Sequence, residues 1–264
     1  MPWNCTPNTR GGATINVVIA QHYADTVNQH VTAAAASPAN VNLGIPDHCP
    51  YPQCRAPHSL IRWGSYQRGA LLPDQIYLIR IQRLRCKVCG RTHSLLPDFL
   101  HPHRHYVTEL LQDVVFLYLI KGLGLTRVLG SLSNEEATPS SVGGPARSTV
   151  REWIRSFAYG AGELLLGRLL RHLLSLDPGG RLPEAAPDHL KRIRGLGQRR
   201  RLQRAYHFWL LAEHLYALVK NRLPKLHFAA GQLLPFMLHW LQNQALPPRL
   251  FWSPTLPHTP TTPF

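Results

Sequence analysis

An α+β chain, with a small β segment followed by a mainly α-helical region, is predicted by three features of the sequence. Two close pairs of cysteines, Cys49/Cys54 and Cys86/Cys89, flank strand-like runs. From Tyr106 onward the apolar residues recur at three- and four-residue steps, the period of a one-sided helix. Pro- and Gly-rich breaks separate the segments. At 264 residues, 44% of them hydrophobic, the chain can bury the core of one large domain or two small ones.

Residues 1–46 are low in charge and rich in Ala, Asn, Thr and Gly. A short strand at 14–20 and a weak helix at 26–36 are expected, in a segment otherwise expected to be poorly ordered or to be upstream sequence behind a misassigned start codon. Cys5 is read as a free thiol. In residues 47–100 the runs 59–63, 64–67 and 76–84 are strand-like. In the last, Tyr77, Ile79 and Ile81 share one face while Arg80 and Gln82 lie on the other. Pro73-Asp74 marks the turn before it.

Residues 101–176 read as helical. Val107, Leu110, Leu111, Val114, Val115 and Tyr118 form one apolar face, ended by Gly122 and Gly124. A short second helix is expected at Leu125–Leu132 and a loop at 134–145. A third helix, capped by Ser148 or a neighbour, should run through Ser156 and on to Leu176, where Asp177-Pro178-Gly179-Gly180 stops it. Residues 177–246 form a basic helical region, with one or two helices over 188–223 interrupted near Gly195 and Gly197, and a last helix over 229–244. The Pro- and Thr-rich tail 247–264 is expected to be irregular.

The cysteine pairs carry the clearest chemistry. Four residues separate Cys49 from Cys54 and two separate Cys86 from Cys89. Such spacings let a tight turn present two thiolates to one ion, and a hairpin in the 31 residues between the pairs can bring the turns together. Gly90 suits the left-handed turn that lets amides approach the sulfurs. Four thiolates satisfy one tetrahedral Zn2+ ion and leave no position for water, so the predicted site is structural, in a β zinc ribbon. His48, His58 and His93 lie nearby and are read as surface or core residues. A second metal site on His101, His103 and His105 is disfavoured, because their spacing suits an extended chain.

No run of apolar residues reaches the ~20 needed to cross a membrane, and no basic segment precedes an apolar one at the N-terminus. With cysteines paired as for metal, this favours the reducing cytoplasm. Lys and Arg total 29 against 14 Asp and Glu, a formal net charge of +15. An excess of that size points to a polyanion, which is DNA, RNA or an anionic membrane surface, with a solvated basic surface as the alternative; DNA is expected first, RNA second, and no membrane. Lys191, Arg192, Arg194, Arg199, Arg200, Arg201 and Arg204 fall in one stretch with no acidic residue between Asp188 and Glu213. Tyr206, Phe208 and Trp209 follow, and read as helix core before base-stacking platforms.

Three pieces of the sequence carry a resemblance: Arg62-Trp63-Gly64-Ser65-Tyr66, then Ile79-Arg80-Ile81-Gln82-Arg83-Leu84-Arg85-Cys86, then Gly90-Arg91-Thr92-His93-Ser94-Leu95-Leu96-Pro97. They resemble the N-terminal zinc ribbon of bacterial insertion-sequence transposases. The likeness is closer to an uncharacterised bacterial family in which this ribbon is followed by Leu-Leu-Pro-Asp-Phe-Leu, here residues 95–100. It covers about residues 47–160, and departs in the first knuckle, where such ribbons usually have two residues between the cysteines. The resemblance implies a helix-turn-helix after the ribbon, with Leu125–Leu132 as first helix and residues 148–155 as recognition helix. Val150, Trp153 and Ile154 would then be buried, leaving Ser148, Thr149, Arg151 and Arg155 for phosphates or base edges. The loop between exceeds the roughly three or four residues usual for the motif.

A transposase nuclease core needs carboxylates that place magnesium ions on a phosphodiester. After residue 155 the acidic residues are few and lie in helical patterns, so no nuclease core and no enzyme is expected. The expectation is a zinc-ribbon DNA-binding protein, transposase-derived or transposase-associated. The alternatives are a zinc-stapled protein-interaction module and a non-functional transposase remnant.

Overall fold

The structure, a computed structural model, describes residues 15–19, 39–40, 45–51, 53–71, 76–97, 99–101, 105–132, 144–179, 185–222, 233–244, 246 and 251. It is α+β: a small antiparallel sheet of three strands followed by a mostly helical remainder. Strand β1 spans Ile15–Ile19, β2 Ala39–Asn40, β3 Leu60–Leu71, β4 Ile76–Cys86 and β5 Thr92–Pro97.

β3 and β4 pair from Leu60↔Cys86 to Leu71↔Ile76, and β4 pairs in turn with β5. The two short runs expected before residue 68 are one strand, because its register merely shifts between Arg62 and Gly64. Trp63 is the extra residue there, and Gly64 takes φ +116° beside it, a conformation that suits glycine. β1, within the segment expected as a strand at 14–20, lies parallel to β5, and β2 lies parallel to β4 at Ala39↔Ile79. The helix expected at 26–36, the turn at Pro73-Asp74 and Cys5 lie outside the described residues.

The sheet is a partition between two cores. Along β4, Ile79 and Ile81 are buried against the helices, whereas Leu84 and Cys86 are buried with the other cysteines. These pairs differ in parity, and strand side chains alternate, so they occupy opposite faces. β5 repeats the device with adjacent residues: Leu95 faces the cysteines and Leu96 the helices.

Helix α1 spans Thr108–Leu119, α2 Leu125–Leu132 and α3 Arg147–Tyr159. α1 buries Leu110, Leu111, Val114, Val115 and Leu119, and the chain leaves it through Gly122 at φ +68°. α2 has the expected bounds and buries Val128 and Leu132. α3 buries Val150, Trp153 and Ile154 as expected, but its N-cap is Ala146, without a side-chain cap, so Ser148 lies inside the helix. The helical run to Leu176 is not uniform. A π-helical segment, Gly160–Leu165, separates α3 from α4 (Leu166–Leu176).

Helix α5 is a single turn, Asp188–Lys191, and α6 runs through Leu196–Arg222. The interruption falls before Leu196, so Gly195 lies in it and Gly197 lies within α6. Phe208 and Trp209 are core residues and Tyr206 is half-buried, as expected of a helix core. α7, Leu233–Asn243, buries residues all around its circumference, including Leu234, Phe236, Met237, Leu238 and Leu241, as a helix enclosed by others must. The one described residue of the tail contributes to this core, a use that the expectation of an irregular tail did not address. Phe251 is fully buried, its ring 5.7 Å from Phe208 and 6.1 Å from Phe157. Among the described residues no helix is long and apolar enough to cross a membrane.

Candidate metal centre

The β3–β4 hairpin brings the two cysteine turns together. Cys86 ends β4, and Lys87, Val88 and Cys89 turn the chain back into β5. Gly90 takes φ +71° and its amide bonds the Cys86 carbonyl at 3.0 Å, while the Cys89 amide points at Cys86 Sγ at 3.5 Å. The left-handed glycine thus does what its position predicts.

The first knuckle accommodates its longer spacing by other means. The amides of Cys54 and Arg55 both bond the Tyr51 carbonyl, at 2.9 and 3.1 Å, closing the turn. Arg55 and His58 adopt positive φ (47° and 46°), and the Cys49 amide bonds Ala56 O at 3.0 Å. Lys87 N donates to Ser59 O at 2.8 Å, tying this loop to the second knuckle. The Arg91 guanidinium sits 3.9 Å above the Tyr51 ring and fastens the knuckles from outside.

The outcome is a cluster of four sulfurs within 4.8 Å of one another. Cys49–Cys89 and Cys54–Cys86 are each 3.7 Å apart, far beyond a disulfide bond and close to the ~3.8 Å edge of a tetrahedron with metal–sulfur bonds of ~2.3 Å. Four cysteines so placed can hold one metal ion, and their number and spacing suit zinc. Among the described residues this is the one group of side chains so disposed.

The thiols are unequal. Burial pushes Cys49 and Cys89 up. Burial also raises Cys86, but hydrogen bonds from Ser59 and from the amides of Cys89 and Val88 outweigh it, bringing Cys86 down to about 6. Ser59 Oγ lies 3.3 Å from Cys86 Sγ and 2.9 Å from Ala56 O, so its single proton can turn to the sulfur once that is a thiolate.

His93, read from the sequence as a surface or core residue, has a place in this centre. It is fully buried, and its Nε2 lies 3.5 Å from Cys49 Sγ. Burial, with Arg91 nearby, lowers its pKa to about 4, so the ring is neutral. With Nε2 carrying the proton it donates to the Cys49 sulfur, leaving Nδ1 buried without a hydrogen-bond partner. The sequence signal was present: on a strand, His93 shares a face with Leu95, which points at the cysteines. His48 and His58 are exposed, as is His105; His101 is buried, and His103 lies outside the described residues.

The residues expected to contact DNA lie on the helical body. Ser148, Arg151 and Arg155 are exposed along α3, whereas Thr149 is half-buried. Arg192, Arg194, Arg200 and Arg204 are exposed and Arg199 is half-buried. Lys191 Nζ pairs with Asp188 at 2.8 Å, and Arg199 Nη1 bonds the Lys191 carbonyl at 3.3 Å. Arg201 Nε pairs with Glu163 at 2.9 Å. Arg151, Arg155 and Arg201, remote in sequence, line one cleft.

Architecture and centre together define a four-cysteine cluster able to hold a metal ion, built into a β ribbon and backed by helices. Residues 49–118, about a quarter of the chain, match the family model described as Domain of unknown function (DUF6431). That match contains all four cysteines and ends at Tyr118 in α1, before α2 and α3. No curated protein and no solved structure matches the chain. The likeness to transposase ribbons therefore stands on the sequence motifs alone.

Proposed function

We propose that the chain is a zinc-ribbon DNA-binding protein, transposase-derived or transposase-associated and without a nuclease core. The single observation that supports it best is the convergence of Arg151 and Arg155 on α3 with Arg201 on α6. Arg192, Arg194, Arg200 and Arg204, in α6 or just before it, are exposed as well. Cations gathered from separate elements on one surface suit a polyphosphate backbone.

In this reading the four cysteines hold one structural Zn2+, which supplies folding energy to the ribbon rather than chemistry. α2 and α3 touch, and α3 buries Val150, Trp153 and Ile154 while turning Ser148, Arg151 and Arg155 outward, as a recognition helix would. The helix-turn-helix assignment and the cytoplasmic location belong to the same proposal. RNA is the second candidate polyanion.

A salt titration of the zinc-loaded chain against duplex DNA tests it. Log affinity should fall with log salt, with a slope near −0.9 for each phosphate neutralised. Arg151→Ala with Arg155→Ala should weaken binding; a flat response to salt sinks the proposal. One observation favours a rival, a zinc-stapled protein-interaction module: Trp63, Leu78 and Val88 on the ribbon are 51%, 57% and 70% exposed. In that case the double arginine variant would leave partner binding intact.

A further inference from the structure

We propose that the cleft between α3 and α6 is a nucleotide site, binding the phosphate ester of a nucleoside. The cleft encloses about 640 Å³, within the range of small-ligand pockets. Arg151 and Arg155, one turn apart on α3, form one wall, and Arg201 and Gln198 on α6 form the other.

The charge arrangement calls for an anion. Among the described residues neither Arg151 nor Arg155 makes an ion pair, and like charges four residues apart on a helix repel. Arg201 is different. Glu163 takes its Nε, and the guanidinium lies 5.8 Å from the Tyr159 ring, so it is oriented before any ligand arrives. Its remaining N–H groups stay available for a phosphate.

The rest of the lining is unsuited to a bare phosphate. Tyr118, Leu125, Leu202 and Tyr159 give the cleft an apolar and aromatic surface, as a base requires. Glu152, held by the Ser156 hydroxyl at 2.7 Å, is an anion in the same lining. It would repel phosphate placed beside it but accepts from a sugar hydroxyl or a base amino group. Phosphate toward the arginines and nucleoside toward Glu152 and the tyrosines is the pose that satisfies both.

Next to the cleft the π-helical segment packs closely on α6. A side chain at Gly162 would sit 2.6 Å from the Arg201 carbonyl and 2.8 Å from the Ala205 amide. The π-helical segment seats this glycine against α6 and sets Glu163 beside Arg201, a use in keeping with the frequent occurrence of π insertions at functional sites.

The ligand is either a free mononucleotide or an unpaired nucleotide of a strand. The second source rests on the DNA-binding proposal; the site itself does not. Calorimetry on the zinc-loaded full chain, with 5′-dAMP, deoxyadenosine, inorganic phosphate, a 5′-phosphorylated single strand and a blunt duplex, tests it. The expected result is dAMP binding about tenfold or more tighter than phosphate or deoxyadenosine, and about tenfold weaker in Arg155→Gln. Gln198→Trp, which fills the cleft and removes no cation, should abolish dAMP binding. Tighter binding of the single strand than of dAMP assigns the site to a strand; the reverse assigns it to a free nucleotide. Phosphate binding as tightly as dAMP, or dAMP binding unaltered by Gln198→Trp, overturns the site. Duplex binding without dAMP binding overturns the site and leaves the DNA proposal standing, and dAMP binding without duplex binding does the opposite.

Discussion

His93 is a single buried side chain placed to tune the candidate metal centre. Its Nε2 is 3.5 Å from Cys49 Sγ, so a neutral ring donates a hydrogen bond to a sulfur that burial makes reluctant to ionise. His93→Phe keeps the bulk and loses the donor. Zinc affinity should fall ~10–100-fold, the usual effect of removing a partner of a metal ligand, as read by competition with a chromophoric chelator. His93→Gln, which retains an N–H donor, should recover part of it. Unchanged affinity in His93→Phe would reduce the residue to packing. Gly162 is a second position where one atom decides. Gly162→Ala places a methyl 2.6 Å from backbone that cannot move aside cheaply. The expected loss is about 1–3 kcal/mol of stability by urea titration, and a neutral result would mean that α6 sits farther away.

At the scale of elements, the sheet has two jobs because its strands alternate. One face carries Ile79, Ile81 and Leu96 into the helical core, and the other carries Leu84, Cys86 and Leu95 to the sulfurs. The whole segment 47–100 would unfold on zinc loss if the metal were its sole anchor. With the helix-facing side packed, a narrower outcome follows. Chelation should strip amide-exchange protection from the two knuckles and from the Thr92–Leu95 end of β5. Protection on α1, α3 and α6 should persist. Loss across the helices as well would show the two cores to be one cooperative unit. Metal must also displace protons from thiols that burial holds up at Cys49 and Cys89. Acid therefore favours the protonated, metal-free site, and zinc affinity should fall as pH falls.

Over the whole molecule, a continuous helical core runs from α1 to α7 and is closed by a residue from the tail. Phe251 packs on Phe157 and Phe208, joining the C-terminal stretch to α3 and α6, the two walls of the cleft. Phe251→Ala should cost about 3–5 kcal/mol in a denaturant melt. It should also disturb nucleotide binding, because both walls rest on that ring. A shift of the midpoint by a few tenths of a kcal/mol would mean that the tail merely rests on the surface.

Much of this was written locally. Cysteine spacing and an expected hairpin between the pairs sufficed to forecast the sulfur cluster. The α2 bounds, the buried stripe of α3 and the core use of Phe208 and Trp209 follow from three- and four-residue periodicity, a property of one helix read alone. What needed three dimensions is what joins residues far apart in the chain. The meeting of Arg151 and Arg155 with Arg201, the tail's Phe251 in the core, and the two-sided use of the sheet are such cases. The π-helical stretch belongs with them. Gly160-Ala161-Gly162 is locally compatible with an ordinary helix, and the close approach of α6 to Gly162 is visible only in the fold. Periodicity says which side of an element is apolar; only packing decides what that side meets.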